Sequence, residues 1–157
     1  MIEIDIPGTH EKLLLEHLVL DFNGTLAVDG RILPGVADLL KELAARLQIH
    51  VVTAGTFGGV GEQVAGFPCV LKVLSGPGQT RQKAEYVAAL GSDKTACIGN
   101  GRNDLEMLRV ARLGIVVIQE EGASGQSLAA ADVVCTNIVQ ALELLLHPLR
   151  LTATLRS

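Results

Sequence analysis

His17-Leu18-Val19-Leu20-Asp21-Phe22-Asn23-Gly24-Thr25 opens as an apolar run and ends in an acid, an amide, a glycine and a hydroxyl. A Leu- and Val-rich run followed at once by turn-forming residues reads as a strand, here 17–22, buried on both faces. The same pattern recurs at 49–53, 69–74, 95–99, 114–118 and 132–135, with helical patterns between: 36–47, 57–65, 80–90, 103–112, 123–130 and 138–146. The clearest of these helices has Val36, Leu39, Leu40, Leu43 and Leu47 on one face, with Pro34 before it. Strands alternating with helices predict a parallel α/β sheet. Residues 26–33 carry Asp29-Gly30 between two short apolar stretches and read as a small hairpin, too short to form a lid. Between the second and third strands there is room for one helix, so no cap domain is expected.

Composition narrows the function. The chain has 157 residues, 48% hydrophobic and 19% charged, with mean hydropathy +0.38. That is enough apolar surface for a core and argues against disorder, and the length fits one domain over 1–157. A net charge of −4, no Trp and 3% aromatics argue against a nucleic-acid surface, which needs basic patches or stacking rings. No apolar run reaches the length of a membrane span. The opening Met1-Ile2-Glu3-Ile4-Asp5-Ile6 alternates and carries two acids, as a strand does and a signal peptide does not. Cys69, Cys97 and Cys135 are far apart and odd in number, so they read as buried thiols of a cytoplasmic protein. They and His10, His17, His50 and His147 lack the spacing of a zinc site.

In open parallel sheets ligands bind beyond the carboxyl ends of the strands. Here those ends are Asp21 to Thr25, Thr53-Ala54-Gly55, and Gly99-Asn100-Gly101-Arg102-Asn103-Asp104, and Lys83 opens the helix before the last of them. Two carboxylates, two amides, a hydroxyl and an ammonium suit a phosphoryl group held against Mg²⁺. Each residue also has a structural reading: Asp21 as a turn former, Asp104 as a first-turn helix acid, Thr53 as a strand residue, Lys83 as a solvated one. Lys83 fits its structural reading least, because a first-turn cation opposes the helix dipole.

The order Asp21-Phe22-Asn23-Gly24-Thr25, Thr53, Lys83, then Gly99 to Asp104 resembles the four motifs of the haloacid dehalogenase superfamily of phosphohydrolases. Within it the chain looks like the soluble relatives of the P-type ATPase phosphorylation domain, an impression carried by the fourth motif with Leu105-Glu106-Met107-Leu108. The resemblance implies a three-layer Rossmann-like sheet with helices on both faces and the first strand central. It implies Asp21 as nucleophile forming an aspartyl phosphate, and Lys83 and Thr53 on the phosphoryl oxygens with the backbone amides of Phe22, Asn23 and Ala54. Mg²⁺ would lie on Asp21, the Asn23 carbonyl, Asn100 and Asp104, with Gly24, Thr25 and Asn103 in support. Arg102 receives no role. The substrate is some phosphorylated compound. Because capless relatives act on large substrates or are covered by a neighbouring subunit, a homo-oligomer closing the site through 141–155 is one expectation; packing of that segment on its own sheet is the other.

Three departures bear on turnover. Asn23 stands where most relatives carry the acid that protonates the leaving group and activates water, and an amide cannot do either; general acid–base help is worth about 10²–10⁴-fold. Asn100 replaces a metal-binding acid, which lowers metal affinity. Thr53-Ala54-Gly55 lacks the carboxylate that P-type ATPases carry at the second motif. Slow phosphatase or weak ATPase-like turnover is therefore expected. The competing reading is a catalytically degenerate binding or regulatory module. A receiver-type switch fits less well, because it would carry its acceptor on the third strand. The glycines from 55 to 61 lack the Lys of a Walker loop, and 99–104 lacks the third glycine of a dinucleotide fingerprint.

Overall fold

The computed structural model describes residues 1–9, 11–55 and 59–157. The chain begins with an antiparallel hairpin, β1 (Ile2–Ile6) and β2 (Glu11–Leu15), in which Ile2 faces Leu15. It continues through β3 (His17–Leu20), a two-residue ribbon of β4 (Ala27–Val28) and β5 (Arg31–Ile32), α1 (Val36–Ala44), β6 (Gln48–Thr53) and α2 (Val60–Val64). Then follow β7 (Cys69–Val73), α3 (Gln79–Leu90), β8 (Thr95–Gly99), a 3₁₀ turn at Arg102–Asp104 and α4 (Leu105–Val110). The chain ends with β9 (Leu113–Val117), α5 (Gly125–Ala130), β10 (Val133–Cys135), α6 (Ile138–Leu146) and α7 (Pro148–Leu155).

Six strands form one parallel sheet in the order β10-β9-β8-β3-β6-β7. β3 is interior, as the resemblance implied. From β3 the chain builds outward through β6 and β7, then crosses back to place β8 on the other side of β3. That reversal opens a crevice beyond the carboxyl ends of β3 and β8.

Alternate residues of β3 feed two cores: Leu18 and Leu20 join the side covered by α1, α6 and α7, and Val19 joins Val87, Cys97, Met107 and Leu108 under α3 and α4. Helices thus cover both faces, the three-layer arrangement expected, and no cap interrupts the described residues. Gly114 lets α4 close on β9, because a Cβ there would lie 2.4 Å from the Leu108 carbonyl oxygen. In the β4–β5 ribbon Asp29 and Gly30 both take positive φ, 50° and 75°, as an Asp-Gly hairpin turn demands.

Several boundaries move. The helix expected at 36–47 stops at Ala44, yet Leu47 stays in the core. That expected at 57–65 is described only from Val60, its first residues lying outside the described ones. Two elements were missed. β2 runs through Glu16 into β3 with no turn residue to separate them, and a separate helix α7 follows α6, with Pro148 at its first position, where a missing N–H costs nothing. Leu151 of α7 is buried and Thr152 Oγ1 donates to the Asp5 carbonyl, so this segment packs on the chain's own β1. Cys97 and Cys135 are buried, whereas Cys69, on edge strand β7, is half-buried.

At the amino end of the sheet the helix α3 contributes to a second polar group, built around the buried His50. His17 Nδ1 lies 3.2 Å from His50 Nε2, and His50 Nδ1 lies 2.9 Å from the Tyr86 hydroxyl. Burial, then the neighbouring His17, lowers the His50 pKa to about 4.

Candidate active site

Asp21 follows β3 directly. Its N–H donates to Ile98 O of β8 at 3.0 Å, so the sheet ladder itself aims this residue. Phe22 O then accepts from Thr25, Leu26 and Ala27 N–H, folding 22–27 into a tight turn that returns Thr25 to Asp21. Thr25 Oγ1 bridges Asp21 Oδ2 at 3.2 Å and Asn100 Oδ1 at 3.3 Å.

Lys83 reaches this place from α3. The helix starts at Gln79 because Gly78, at φ 79°, caps it, so Lys83 stands past the first turn and the expected clash with the helix dipole is small. Burial sets Lys83 apart instead: it is 0% exposed, with Nζ 2.6 Å from Asp21 Oδ1 and 2.6 Å from Asp104 Oδ1. Burial alone would lower its pKa, but the charges of Asp21 and Asp104 outweigh that and raise it. The Asp21 carboxyl is raised to about 7, first by burial and then by Asp104, against the opposing pull of Lys83. Two acids and one ammonium leave this cluster with an excess negative charge.

Asp104 is fully buried and spends both oxygens on the protein. Oδ1 takes Lys83, and Oδ2 takes the N–H groups of Asn100 at 2.9 Å and Gly101 at 2.8 Å. The 99–104 loop is fixed from outside by Ser127 Oγ donating to Gly101 O and Ser124 N–H to Asn100 O. Asn103, given a supporting place by the resemblance, lines a cavity.

This cavity, about 250 Å³, lies at the carboxyl edge between Asp21, Asn23, Thr53, Ala54, Asn100, Gly101, Asn103 and Glu121. Most residues singled out from sequence therefore converge on it; Phe22 lies buried beneath, Lys83 and Asp104 behind Asp21, and Arg102 is exposed outside. The N–H groups of Phe22, Asn23 and Ala54 make no backbone hydrogen bond among the described residues. Unclaimed N–H groups at strand ends form a concavity suited to an anion. The Asn23 side-chain oxygen is buried without a partner, and such an atom normally has one.

Larger pockets exist, including one of about 360 Å³ beside Pro34 and Val139, but none of them contains the charged cluster. Among the described residues no group of three or more His, Cys, Asp or Glu is placed to hold a metal. Mg²⁺ does not need one, since it is held by one or two carboxylates with carbonyls, waters and phosphate oxygens. Asp21, the Asn23 and Asn100 amides and the orphaned Asn23 oxygen fit that donor set. No helix of the described residues is long and apolar enough to cross a membrane.

Sequence reasoning missed Gln119 and Glu121, in the loop after β9. Gln119 Nε2 donates to the carbonyls of Gly24 at 3.0 Å and Thr25 at 2.9 Å, while its Oε1 accepts from Ile138 N–H. Gly24, at φ 80°, must be glycine for a second reason: a Cβ there would lie 2.4 Å from Asn100 Nδ2 and 2.6 Å from Glu121 Oε2.

No family model matches the chain. It is 48% identical over 63 residues to an uncharacterized protein of Methanocaldococcus jannaschii, a match covering 40% of this chain and 68% of that one. It is 26% identical over 132 residues to the phospholipid-transporting ATPase NEO1 of Saccharomyces cerevisiae, covering 84% of this chain but only 10% of that much longer one. Among solved structures it superposes on a 3-deoxy-D-manno-octulosonate 8-phosphate phosphatase from Moraxella catarrhalis, in complex with magnesium, phosphate and the sugar acid. That match has a TM-score of 0.66, 20% identity, and covers 85% of this chain and 87% of that one. The cobalt-bound deoxy-D-mannose-octulosonate 8-phosphate phosphatase from Haemophilus influenzae gives a TM-score of 0.71 at 15% identity, over 91% and 94%. At these identities the structural likeness is one of fold.

Proposed function

We propose, for a chain that has the haloacid dehalogenase superfamily fold and belongs to one family with the Methanocaldococcus jannaschii protein, a phosphohydrolase that forms an aspartyl phosphate on Asp21. The observation that carries this reading is the Asp21 carboxylate itself. It stands at the carboxyl end of an interior strand, gripped at 2.6 Å by a fully buried Lys83 and facing a cavity with unclaimed N–H groups.

The Asp21 carboxylate attacks phosphorus in line, forming an acyl phosphate as the bond to the leaving oxygen breaks. The Phe22, Asn23 and Ala54 N–H groups and the Thr53 hydroxyl stabilise the phosphoryl oxygens, donors already in place before charge moves, while Lys83, behind Asp21, adds positive charge to the same centre. Thr25 keeps Asp21 and Asn100 in register. Asp21, the Asn23 carbonyl and Asn100 would hold Mg²⁺, which when bound neutralises phosphoryl charge. Asp104 stands behind them, holding Lys83 and the 99–104 loop in position. Water must then hydrolyse the acyl phosphate without a carboxylate at Asn23 to take its proton, so this second step is the slow one and the phosphoenzyme accumulates.

The absence of acids at positions 23 and 100 also favours a second reading, a binding module that does not turn over. Mass spectrometry of protein incubated with acetyl phosphate or p-nitrophenyl phosphate and Mg²⁺ separates the two. A single phosphate adduct on the native chain, absent from Asp21→Asn, is expected. An adduct that persists in Asp21→Asn removes the nucleophile; no adduct with either donor leaves the binding module.

A further inference from the structure

The sequence places an amide at Asn100 where a charged oxygen would serve a cation better, and the structure puts another carboxylate beside it. We propose that Glu121, from the loop after β9, supplies the anionic metal ligand that Asn100 cannot; this rests on the reading of the site above.

Asp104 does not line the cavity, and its two oxygens are occupied by Lys83 and two backbone N–H groups. The carboxylates lining the cavity among the described residues are Asp21 and Glu121. Glu121, itself exposed, lies close to the amide it complements: one point, the position of a Cβ on Gly24, is 2.6 Å from Glu121 Oε2, 2.4 Å from Asn100 Nδ2 and 2.8 Å from Asn100 Oδ1.

The loop is also fixed around Glu121, and its far side is bonded to Asn100. Gln119 O accepts from Gly122 N–H at 2.8 Å, closing a tight turn around Glu120 and Glu121. On the far side, Gly122 O accepts from Asn100 Nδ2 at 3.0 Å and Ser124 N–H donates to Asn100 O at 2.8 Å. The Asn100 amide nitrogen thus faces the loop carbonyl, which turns Oδ1 toward Thr25 and Asp21. The arrangement divides what an aspartate would do alone. Asn100 offers a neutral oxygen and locks the loop, and the locked loop presents the charge. Affinity for a hard dication follows the number of charged ligands, so a carboxylate held here restores the count.

Manganese(II), visible by electron paramagnetic resonance, tests this on the full chain without substrate. Glu121→Gln is expected to weaken Mn²⁺ binding about tenfold or more, the size of effect seen when a group serving a metal site is lost. Its urea midpoint should stay unchanged. Glu120→Gln, a neighbouring exposed acid, should leave affinity within about twofold, and Asn100→Asp should tighten it. In the Asn100→Asp background, Glu121→Gln should cost far less than in the native chain, because the charge is then present twice. Unchanged affinity in Glu121→Gln overturns the inference, as do equal losses in Glu120→Gln and Glu121→Gln or equal losses in both backgrounds. If Asp21→Asn weakens Mn²⁺ while Glu121→Gln does not, the inference falls and the reading of the site stands. If the native chain binds no Mn²⁺, both fall.

Discussion

At the carboxyl end of β3, Asp21 and Asp104 share one ammonium and keep an unbalanced negative charge; at its amino end, His17, His50 and Tyr86 form a chain of hydrogen bonds around an imidazole that is neutral at pH 7. Both groups lie beneath the same helix, α3, which contributes Lys83 to one and Tyr86 to the other. His50 finds a partner for each ring nitrogen within the protein, so that group is complete. The charged one is not: it adjoins a cavity, raises the carboxyl of Asp21 and leaves the Asn23 oxygen orphaned. A polar group that satisfies itself serves the fold, and one left in tension beside an opening serves a ligand.

The largest expected effect that bears on this contrast is Lys83→Met. It leaves two buried carboxylates without a cation and should cost about 3–5 kcal/mol at pH 8, read from urea denaturation. A loss below about 1 kcal/mol there would show the cluster to be solvated after all.

The next test is the sign of the pH dependence in metal-free protein. Asp21 binds its proton more tightly folded, with a pKa of about 7 against 3.8, so its contribution is present below pH 4 and is lost as pH rises through 7. His50 behaves inversely: with a folded pKa of about 4 against 6.5, its contribution is present above pH 6.5 and is lost as pH falls through 4. Across pH 4 to 7 the two contributions oppose one another. Asp21→Asn should therefore leave stability that climbs with pH, and His50→Leu stability that declines. Urea midpoints at several pH values measure both, and parallel profiles in the two variants would dissolve the contrast.

The smallest effect belongs to Tyr86→Phe, which removes one neutral hydrogen bond at 2.9 Å and should cost about 1 kcal/mol. Phosphate incorporation at Asp21 should be unaffected; a matching loss there would mean the two ends of β3 communicate.

The sheet was legible because its signal is local: an apolar run such as Leu18 to Leu20, then an acid and a glycine, marks a strand end without knowledge of anything distant. Strand-end placement also brought Asp21, Asn23, Thr53, Ala54 and Asn100 together correctly, since a parallel sheet leaves all those ends on one edge. What was illegible depended on packing across the chain. Nothing near Lys83 announces that it is fully buried, because its two partners come from β3 and from the turn before α4. Glu121 stands among loop residues and gains meaning only once Gly122 and Ser124 bind Asn100. His17, His50 and Tyr86 are scattered through the chain, and register alone, pairing His17 with Gln48 and Val19 with His50, sets the first two side by side.

Gln119 ties two otherwise separate pieces to its own loop: the turn after β3 by its amide hydrogens, and the start of α6 by its oxygen. Exchanging that nitrogen for oxygen, as Gln119→Glu does, keeps the outline but sets like poles against Gly24 and Thr25. The rim of the cleft would lose its hinge pin, and the spacing between Asp21 and Glu121 would drift.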